Sequence, residues 1–137
     1  MLIRYQKTAF LDIELKVAGL EAIVLKGLRE HPPLKGYVIS SFLPEVLLTL
    51  HEYDPDAPLG LICETTSQLR KWPELPVQFV FPHQTLINID LHRQLQAGGR
   101  KLVAWTVNLQ EKMLELQEIG VDGIISDRTD LLGKLRG

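Results

Sequence analysis

Short apolar runs rich in β-branched residues alternate along the chain with stretches of helical spacing. The runs typical of β-strands are residues 10–17, 37–41, 60–63, 77–81, 102–107 and 123–126. Apolar residues at helical spacing begin at Leu20, and further helices are predicted at 44–52, from Asn88 to Gly98, at 110–119 and at 129–135. About six strands separated by helices predict an α/β fold with a parallel sheet, either an open doubly wound sheet or a (β/α) barrel.

The first predicted strand carries ionisable groups on one face. Asp12, Glu14 and Lys16 alternate with three apolar residues on the opposite face, namely Leu11, Ile13 and Leu15. A buried parallel strand is normally apolar on both faces. The polar face therefore belongs to a solvated edge strand, to an internal ion-pair network, or to a barrel interior near its mouth. In the last case a carboxylate there could hold Mg²⁺ or Ca²⁺, and the lysine would suit a phosphate.

Composition is that of an ordinary folded domain. The 137 residues include 15 Lys plus Arg and 17 Asp plus Glu, for a net charge of −2, and 45% are hydrophobic. We expect a single domain over residues 1–137 that binds no nucleic acid through bulk charge. No apolar run approaches the ~18 residues of a membrane-spanning helix, and the amino-terminal residues lack the apolar core of a signal peptide. These features predict a cytoplasmic protein.

Two aromatic side chains near predicted strand ends are further site candidates. His83 follows Pro82 at the end of a strand, where the active-site loops of α/β proteins begin. Trp105, in the last third of the chain, is compatible with either a core position or a binding site. His31, His51 and His92 lie among charged residues and are interpreted as surface groups.

Several segments resemble the glycerophosphodiester phosphodiesterase family. Trp-Thr-Val-Asn at 105–108 and Gly-Val-Asp-Gly-Ile-Ile-Ser-Asp-Arg at 120–128 are similar to the family's carboxyl-terminal motifs. Asp-Ile-Glu-Leu-Lys at 12–16 resembles its Asn-Ile-Glu-Leu-Lys strand, and Ser-Ser-Phe at 40–42 resembles another strand end. The resemblance covers residues 10–132, nearly the whole chain.

The resemblance implies a (β/α)₈ barrel that uses a divalent cation, Mg²⁺ or Ca²⁺. Family members hydrolyse glycerophosphodiesters to an alcohol and glycerol 3-phosphate, a reaction of lipid metabolism. By this resemblance Glu14 matches a metal ligand and Lys16 a phosphate-binding lysine, while Phe42 and Trp105 match residues near the glycerol pocket. The expected binding partner is therefore a glycerophosphodiester or phosphate.

The family's first two strands have no counterpart in this sequence. Its His-Arg-Gly and Glu-x-Asp motifs are absent, and no histidine precedes His31. The chain is thus predicted to be the carboxyl-terminal portion of such a barrel, an incomplete TIM-type fold with no catalytic residue, weak or absent cation binding and little turnover. The alternatives are a truncated enzyme, a non-catalytic relic acting as a binding or assembly module, and a different (β/α) enzyme. Unpaired edges on the first and last strands predict that the chain either self-associates as a homo-oligomer or is only marginally stable.

Overall fold

Seven strands form a closed barrel in the computed structural model, which describes residues 2–5, 8–33 and 36–132. The strands are β1 (Leu2–Tyr5), β2 (Thr8–Glu14), β3 (Tyr37–Ser41), β4 (Leu59–Cys63), β5 (Phe79–Pro82), β6 (Lys101–Ala104) and β7 (Gly123–Ile124). The α-helices are α1 (Glu21–Glu30), α2 (Pro44–Tyr53), α3 (Thr66–Leu69), α4 (Ile89–Ala97), α5 (Gln110–Ile119) and α6 (Thr129–Leu132). Short 3₁₀ turns lie at Trp72–Glu74 and Gln84–Leu86.

Strands β2 to β7 form a parallel sheet in which the strands follow chain order. Each pairs with the next in parallel register, and helical segments connect them. The predicted α/β fold with six parallel strands is therefore confirmed. Because crossover connections between parallel strands place helices on one face of the sheet, the other face becomes the barrel interior.

The predicted unpaired edges are wrong, because β1 occupies the space between β2 and β7. It pairs antiparallel with β2, where Leu2 lies opposite Leu11, and with β7, where Arg4 lies opposite Ile124. The four-residue run Leu-Ile-Arg-Tyr is too short to show a strand period in the sequence. An unpaired strand edge tends to bind another strand. Residues 2–5 precede β2 closely along the chain and supply that strand to both β2 and β7.

Two apolar layers stabilise the barrel. Between strands and helices lies the larger core, which includes Ile39, Leu47 and Met113, all fully buried. The barrel interior is filled by a smaller cluster: Val38, Ile62, Phe81, Val103 and Ile125. A Cβ atom at Gly60 would lie 2.8 Å from Cε2 of Phe81, so this glycine makes room for the ring that fills the interior.

Some element ends differ from the predictions. β2 ends at Glu14 rather than at residue 17, and β6 ends at Ala104 rather than at 107. After β2 the chain turns through Gly19, whose φ of +101° favours glycine. Asn88 caps α4 as predicted, since its side chain accepts the Leu91 N–H at 2.8 Å. The last predicted helix extends to 135, but residues 133–137 lie outside the described part of the chain.

None of the helices within residues 2–5, 8–33 and 36–132 combines the length and apolar character needed to cross a bilayer.

Candidate functional site

A small cavity opens at the carboxyl ends of the parallel strands, where (β/α) barrels carry their functional groups. Its volume is about 60 Å³. The side chains that line it are distributed along the chain from β2 to the end of β7: Asp12, Glu14, Phe42, Ile62, Phe81, Trp105, Thr106 and Ile125. Three of the four residues that the resemblance assigned to the site, Glu14, Phe42 and Trp105, thus lie together. Lys16 is exposed and is not among the residues that line the cavity.

Asp12 forms the buried acidic floor of this cavity. The residue is 3% exposed, and its carboxylate accepts a 2.6 Å hydrogen bond from the Ser40 hydroxyl. Burial raises the pKa of Asp12 to about 6, although the Ser40 hydrogen bond opposes this shift and nearby Glu14 adds to it. The side chain therefore takes up a proton at mildly acidic pH.

Of the three ionisable groups predicted to share one interior face, Asp12 and Glu14 both line the cavity. Glu14 is half-buried and lines the cavity, whereas Lys16 is exposed and is not among the lining residues. The alternation of faces holds only while the strand persists, and β2 ends at Glu14. Leu11 also departs from the predicted packing against helices, since it is 37% exposed.

Trp105 is fixed in position by three contacts. Its indole N–H donates a 2.6 Å hydrogen bond to the Phe81 carbonyl. Its ring meets Phe42 edge-on at 6.0 Å between centroids and His83 edge-on at 4.9 Å. The Trp105 ring also lines the cavity. The residue therefore lies at the boundary between the core and the site, the two positions that the sequence left open.

His83 lies at the rim and contacts the site through the Trp105 ring. Its backbone pairs with Trp105 as an isolated parallel bridge just beyond β5 and β6. Its Nδ1 accepts the Thr85 N–H at 3.3 Å and lies 2.8 Å from the Thr85 hydroxyl. Since the imidazole is not part of the cavity lining, the arrangement orients the ring beside the mouth without placing it in the cavity.

Two carboxyl-terminal motifs are tied together beside the mouth by Asn108. Its amide oxygen accepts hydrogen bonds from the Ser126 hydroxyl at 2.9 Å and the Asp127 N–H at 3.0 Å. At the opposite end of the same strands, Asp122 accepts the Leu102 N–H at 2.8 Å. These polar motif residues thus hold β6 and β7 in register, which positions the neighbouring cavity residues.

Sequence reasoning missed Ser40 as the partner of Asp12, and missed Thr106 and Ile125 as lining residues. Ser40 and Thr106 lie within segments that the motifs had marked, so their place beside the site was open to inference. The pairing register brings Ser40 opposite Glu14 and within reach of Asp12, and this register could not be inferred from the sequence.

The carboxylates at the cavity do not make up a complete divalent-cation site. Mg²⁺ and Ca²⁺ take about six or more oxygen ligands, usually with several carboxylates among them. Across the described residues, no cluster of three or more His, Cys, Asp or Glu side chains is suited to hold a metal. Asp12 and Glu14 are the two acidic side chains of the cavity lining, and burial is the largest cause of the raised pKa of Asp12.

The fold and mouth define a (β/α)-type barrel protein with an acidic and aromatic site at the carboxyl ends of its strands. A sequence model of the glycerophosphoryl diester phosphodiesterase family matches residues 10–131. The chain therefore belongs to this family, as the motifs indicated.

Relatives support the same assignment. YhdW of Bacillus subtilis is 28% identical over 141 residues, covering 96% of this chain and 58% of its own length. The glycerophosphodiester phosphodiesterase of Caldanaerobacter subterraneus is 28% identical over 134 residues, covering 92% and 55%. The chain thus spans little more than half the length of these curated relatives.

A solved structure shows that the fold is shared. An Oleispira antarctica phosphodiesterase in complex with the product sn-glycerol-3-phosphate superposes with a TM-score of 0.77 at 24% identity. The match covers 89% of this chain and 53% of that one. At this level of identity the comparison establishes the common barrel architecture.

Proposed function

We propose that this chain is the substrate-recognition part of a glycerophosphodiester phosphodiesterase barrel, and that it binds glycerol phosphate groups without hydrolysing diesters by itself. The observation that carries the proposal is the convergence of Glu14, Phe42 and Trp105 on one cavity. Two motifs about 90 residues apart in the printed sequence contribute to it. Such a convergence of polar and aromatic groups is typical of a small-molecule site.

The geometry suggests how a ligand would divide between the cavity and its rim. The volume of about 60 Å³ is well below that of typical ligand pockets, roughly 300–1,000 Å³. A glycerol carbon chain would contact the Phe42 and Trp105 rings at the mouth, with Glu14 accepting hydrogen bonds from its hydroxyl groups. The phosphate would remain outside, where the exposed Lys16 supplies positive charge.

The absence of hydrolysis follows from the chemistry of the groups present. Phosphodiester hydrolysis needs a base for the attacking water and an acid for the leaving oxygen, each worth ~10²–10⁴ in rate. The cavity lining contains no histidine, and its two carboxylates do not complete a cation site. Binding without turnover is therefore the behaviour we propose for this chain, whether it acts alone as a binding module or is completed by further polypeptide.

Tryptophan fluorescence tests the proposal, because the sequence has two tryptophans, Trp72 and Trp105. Trp72 lies against Arg100, with 5.5 Å from the guanidinium carbon to the ring centroid, and is not among the cavity-lining residues. A Trp72→Phe variant makes Trp105 the single reporter. We expect saturable quenching by sn-glycerol 3-phosphate, reduced at least about tenfold in affinity by Glu14→Gln. Inorganic phosphate and glycerol serve as matched ligands.

A turnover assay completes the test. Glycerophosphocholine should release no glycerol 3-phosphate above background with Mg²⁺, with Ca²⁺ or with neither. Robust release that disappears in Glu14→Ala would show that the chain is a complete enzyme. Absence of any Trp105 response to glycerol 3-phosphate would remove the recognition role.

A further inference from the structure

A separate cavity lies at the amino-terminal ends of β6 and β7, the end of the barrel opposite the mouth. Its polar lining includes His92 and Gln96 on α4, Arg100 and Lys101 at the start of β6, and Asp122 just before β7. The cavity volume is about 130 Å³, compared with about 60 Å³ at the mouth. Because a water molecule takes up roughly 30 Å³ in the liquid, this space has room for a small oxyanion.

The lining of this cavity carries more positive than negative charge. Arg100 and Lys101 are cationic at neutral pH, and His92 can take up a proton. Among the ion pairs of residues 2–5, 8–33 and 36–132, none brings a carboxylate oxygen within 4.0 Å of these three side chains. Cationic groups that share a concave surface and are not neutralised by contact with a carboxylate favour an anion.

Arg100 is held in position by its surroundings. Its Nη1 donates a 2.6 Å hydrogen bond to the Gly98 carbonyl, which caps the end of α4, and its guanidinium carbon lies 5.5 Å from the Trp72 ring centroid. Its Nε is buried and has no hydrogen-bond partner within the described part of the chain. Much of the donor capacity of the guanidinium therefore remains unused. A side chain fixed in this way loses little conformational freedom when it binds an oxyanion.

Asp122 places one hydrogen-bond acceptor among these donors. Its Oδ2 accepts the Leu102 N–H at 2.8 Å, while its Oδ1 makes no hydrogen bond to any described residue. A carboxylate repels a bound anion unless that anion carries a proton to donate. Monohydrogen phosphate has such a proton, whereas sulfate has none at neutral pH. The set of two cationic donors and one anionic acceptor therefore matches phosphate better than sulfate.

We propose that this cavity is a binding site for inorganic phosphate in its monohydrogen form. Arg100 and Lys101 donate hydrogen bonds to phosphate oxygens, and the Oδ1 atom of Asp122 accepts the phosphate proton. The site shares no lining residue with the mouth, so it does not depend on the function proposed there. Since the bound ion would connect the turn after α4 with the residue before β7, phosphate should also stabilise the fold.

A titration followed by ¹H–¹⁵N nuclear magnetic resonance tests the site in the native chain. At neutral pH and constant ionic strength, phosphate should produce saturable shifts of the backbone signals of Gly99, Arg100 and Lys101. Sulfate should bind at least about tenfold more weakly. Glycerol 3-phosphate is the third ligand, and binding at the mouth is recognised by shifts at Trp105 and Thr106 instead.

Two exposed cationic residues provide a matched pair of variants. Lys101→Gln removes a donor from the cavity and should weaken phosphate binding about tenfold. Arg93→Gln removes the same charge from an exposed position of α4 outside the lining, and should leave the affinity unchanged within about twofold. Equal effects of the two substitutions would indicate general charge attraction and would overturn the proposal.

Asp122→Asn tests the selectivity for a protonated anion. The asparagine oxygen can still accept the Leu102 N–H, but the negative charge that excludes sulfate is removed. We expect the preference for phosphate over sulfate to fall from at least about tenfold to within about threefold. The proposal is overturned if the native chain shows only shifts that do not saturate, if it binds phosphate and sulfate equally, or if Asp122→Asn keeps the full preference.

Discussion

The two sides of the barrel mouth satisfy their polar groups in different ways. On the aromatic side, the Trp105 indole N–H is hydrogen-bonded to a main-chain carbonyl, and its ring contacts Phe42 and His83. On the acidic side, Asp12 is buried with a pKa raised to about 6. Glu14 lines the cavity, and within the described part of the chain no hydrogen bond is made by its carboxylate.

We infer from this difference that the aromatic side of the mouth contributes to stability and the acidic side to recognition. The aromatic side gains from buried area, ring contacts and a hydrogen bond, so it stabilises the mouth. The acidic side places a carboxyl group where burial disfavours its charge, which costs stability at neutral pH. Strongly shifted carboxyl groups in clefts are more common at functional sites than elsewhere. Substitutions on the two sides should therefore differ in their effect on the free energy of unfolding, from largest at Trp105 to smallest at Glu14.

Removal of the Trp105 ring should have the largest effect. Trp105→Ala deletes the contacts with Phe42 and His83 and leaves the Phe81 carbonyl without its donor, so we expect a loss of about 3 kcal/mol in the free energy of unfolding. Trp105→Phe keeps an aromatic ring without the N–H and should lose about 1–2 kcal/mol. Urea unfolding followed by circular dichroism measures both. If Trp105→Ala lost less unfolding free energy than Trp105→Phe, the result would contradict the structural role of the aromatic side.

Asp12→Asn should instead increase the free energy of unfolding relative to the native protein, by an amount that depends on pH. The pKa of Asp12 rises from 3.8 to about 6 on folding, so the folded state holds the proton more tightly. The stability from that proton is fully present below the unfolded pKa and is lost as pH rises through the folded pKa. The native protein should therefore lose on the order of 2 kcal/mol relative to Asp12→Asn between pH 4 and pH 7.

The control for this prediction is Ser40→Ala, which removes the hydrogen bond that lowers the Asp12 pKa. It should move the titration to higher pH, whereas Asp12→Asn abolishes it. Urea midpoints measured at several pH values for the native chain and both variants give the comparison. Equal pH dependence in native and Asp12→Asn proteins would show that Asp12 does not titrate in this window.

The parallel sheet was predictable because each strand is an apolar run followed by a helical segment or a turn. The short strand β1 was not, since its pairing depends on the two strand edges that the rest of the barrel leaves available. The exposure of Lys16 was not predictable for a related reason. Alternation of faces predicts orientation only within a strand, and no feature of the sequence marks the strand end at Glu14.

The aromatic residues illustrate a different limit. An apolar run that ends in Trp105 suits a core or a site equally well, and the hydrogen bond to Phe81 decides its position only after β5 and β6 are aligned. The motif residues near 108 and 126 were predictable as a group but not as partners. Their hydrogen bonds join segments about 18 residues apart, a contact that only the folded register creates.

Glu14→Gln should change stability least and recognition most. Glu14 is half-buried at the cavity, and across the described residues its carboxylate has no partner to lose, so we expect a change within about 0.5 kcal/mol. The amide keeps the size of the side chain but removes the charge that would accept hydrogen bonds from glycerol hydroxyl groups. Urea unfolding and glycerol 3-phosphate titration of the Trp72→Phe background measure the two quantities in one protein. A large loss of stability, or unchanged affinity with normal stability, would place the recognition role elsewhere than on the acidic side of the mouth.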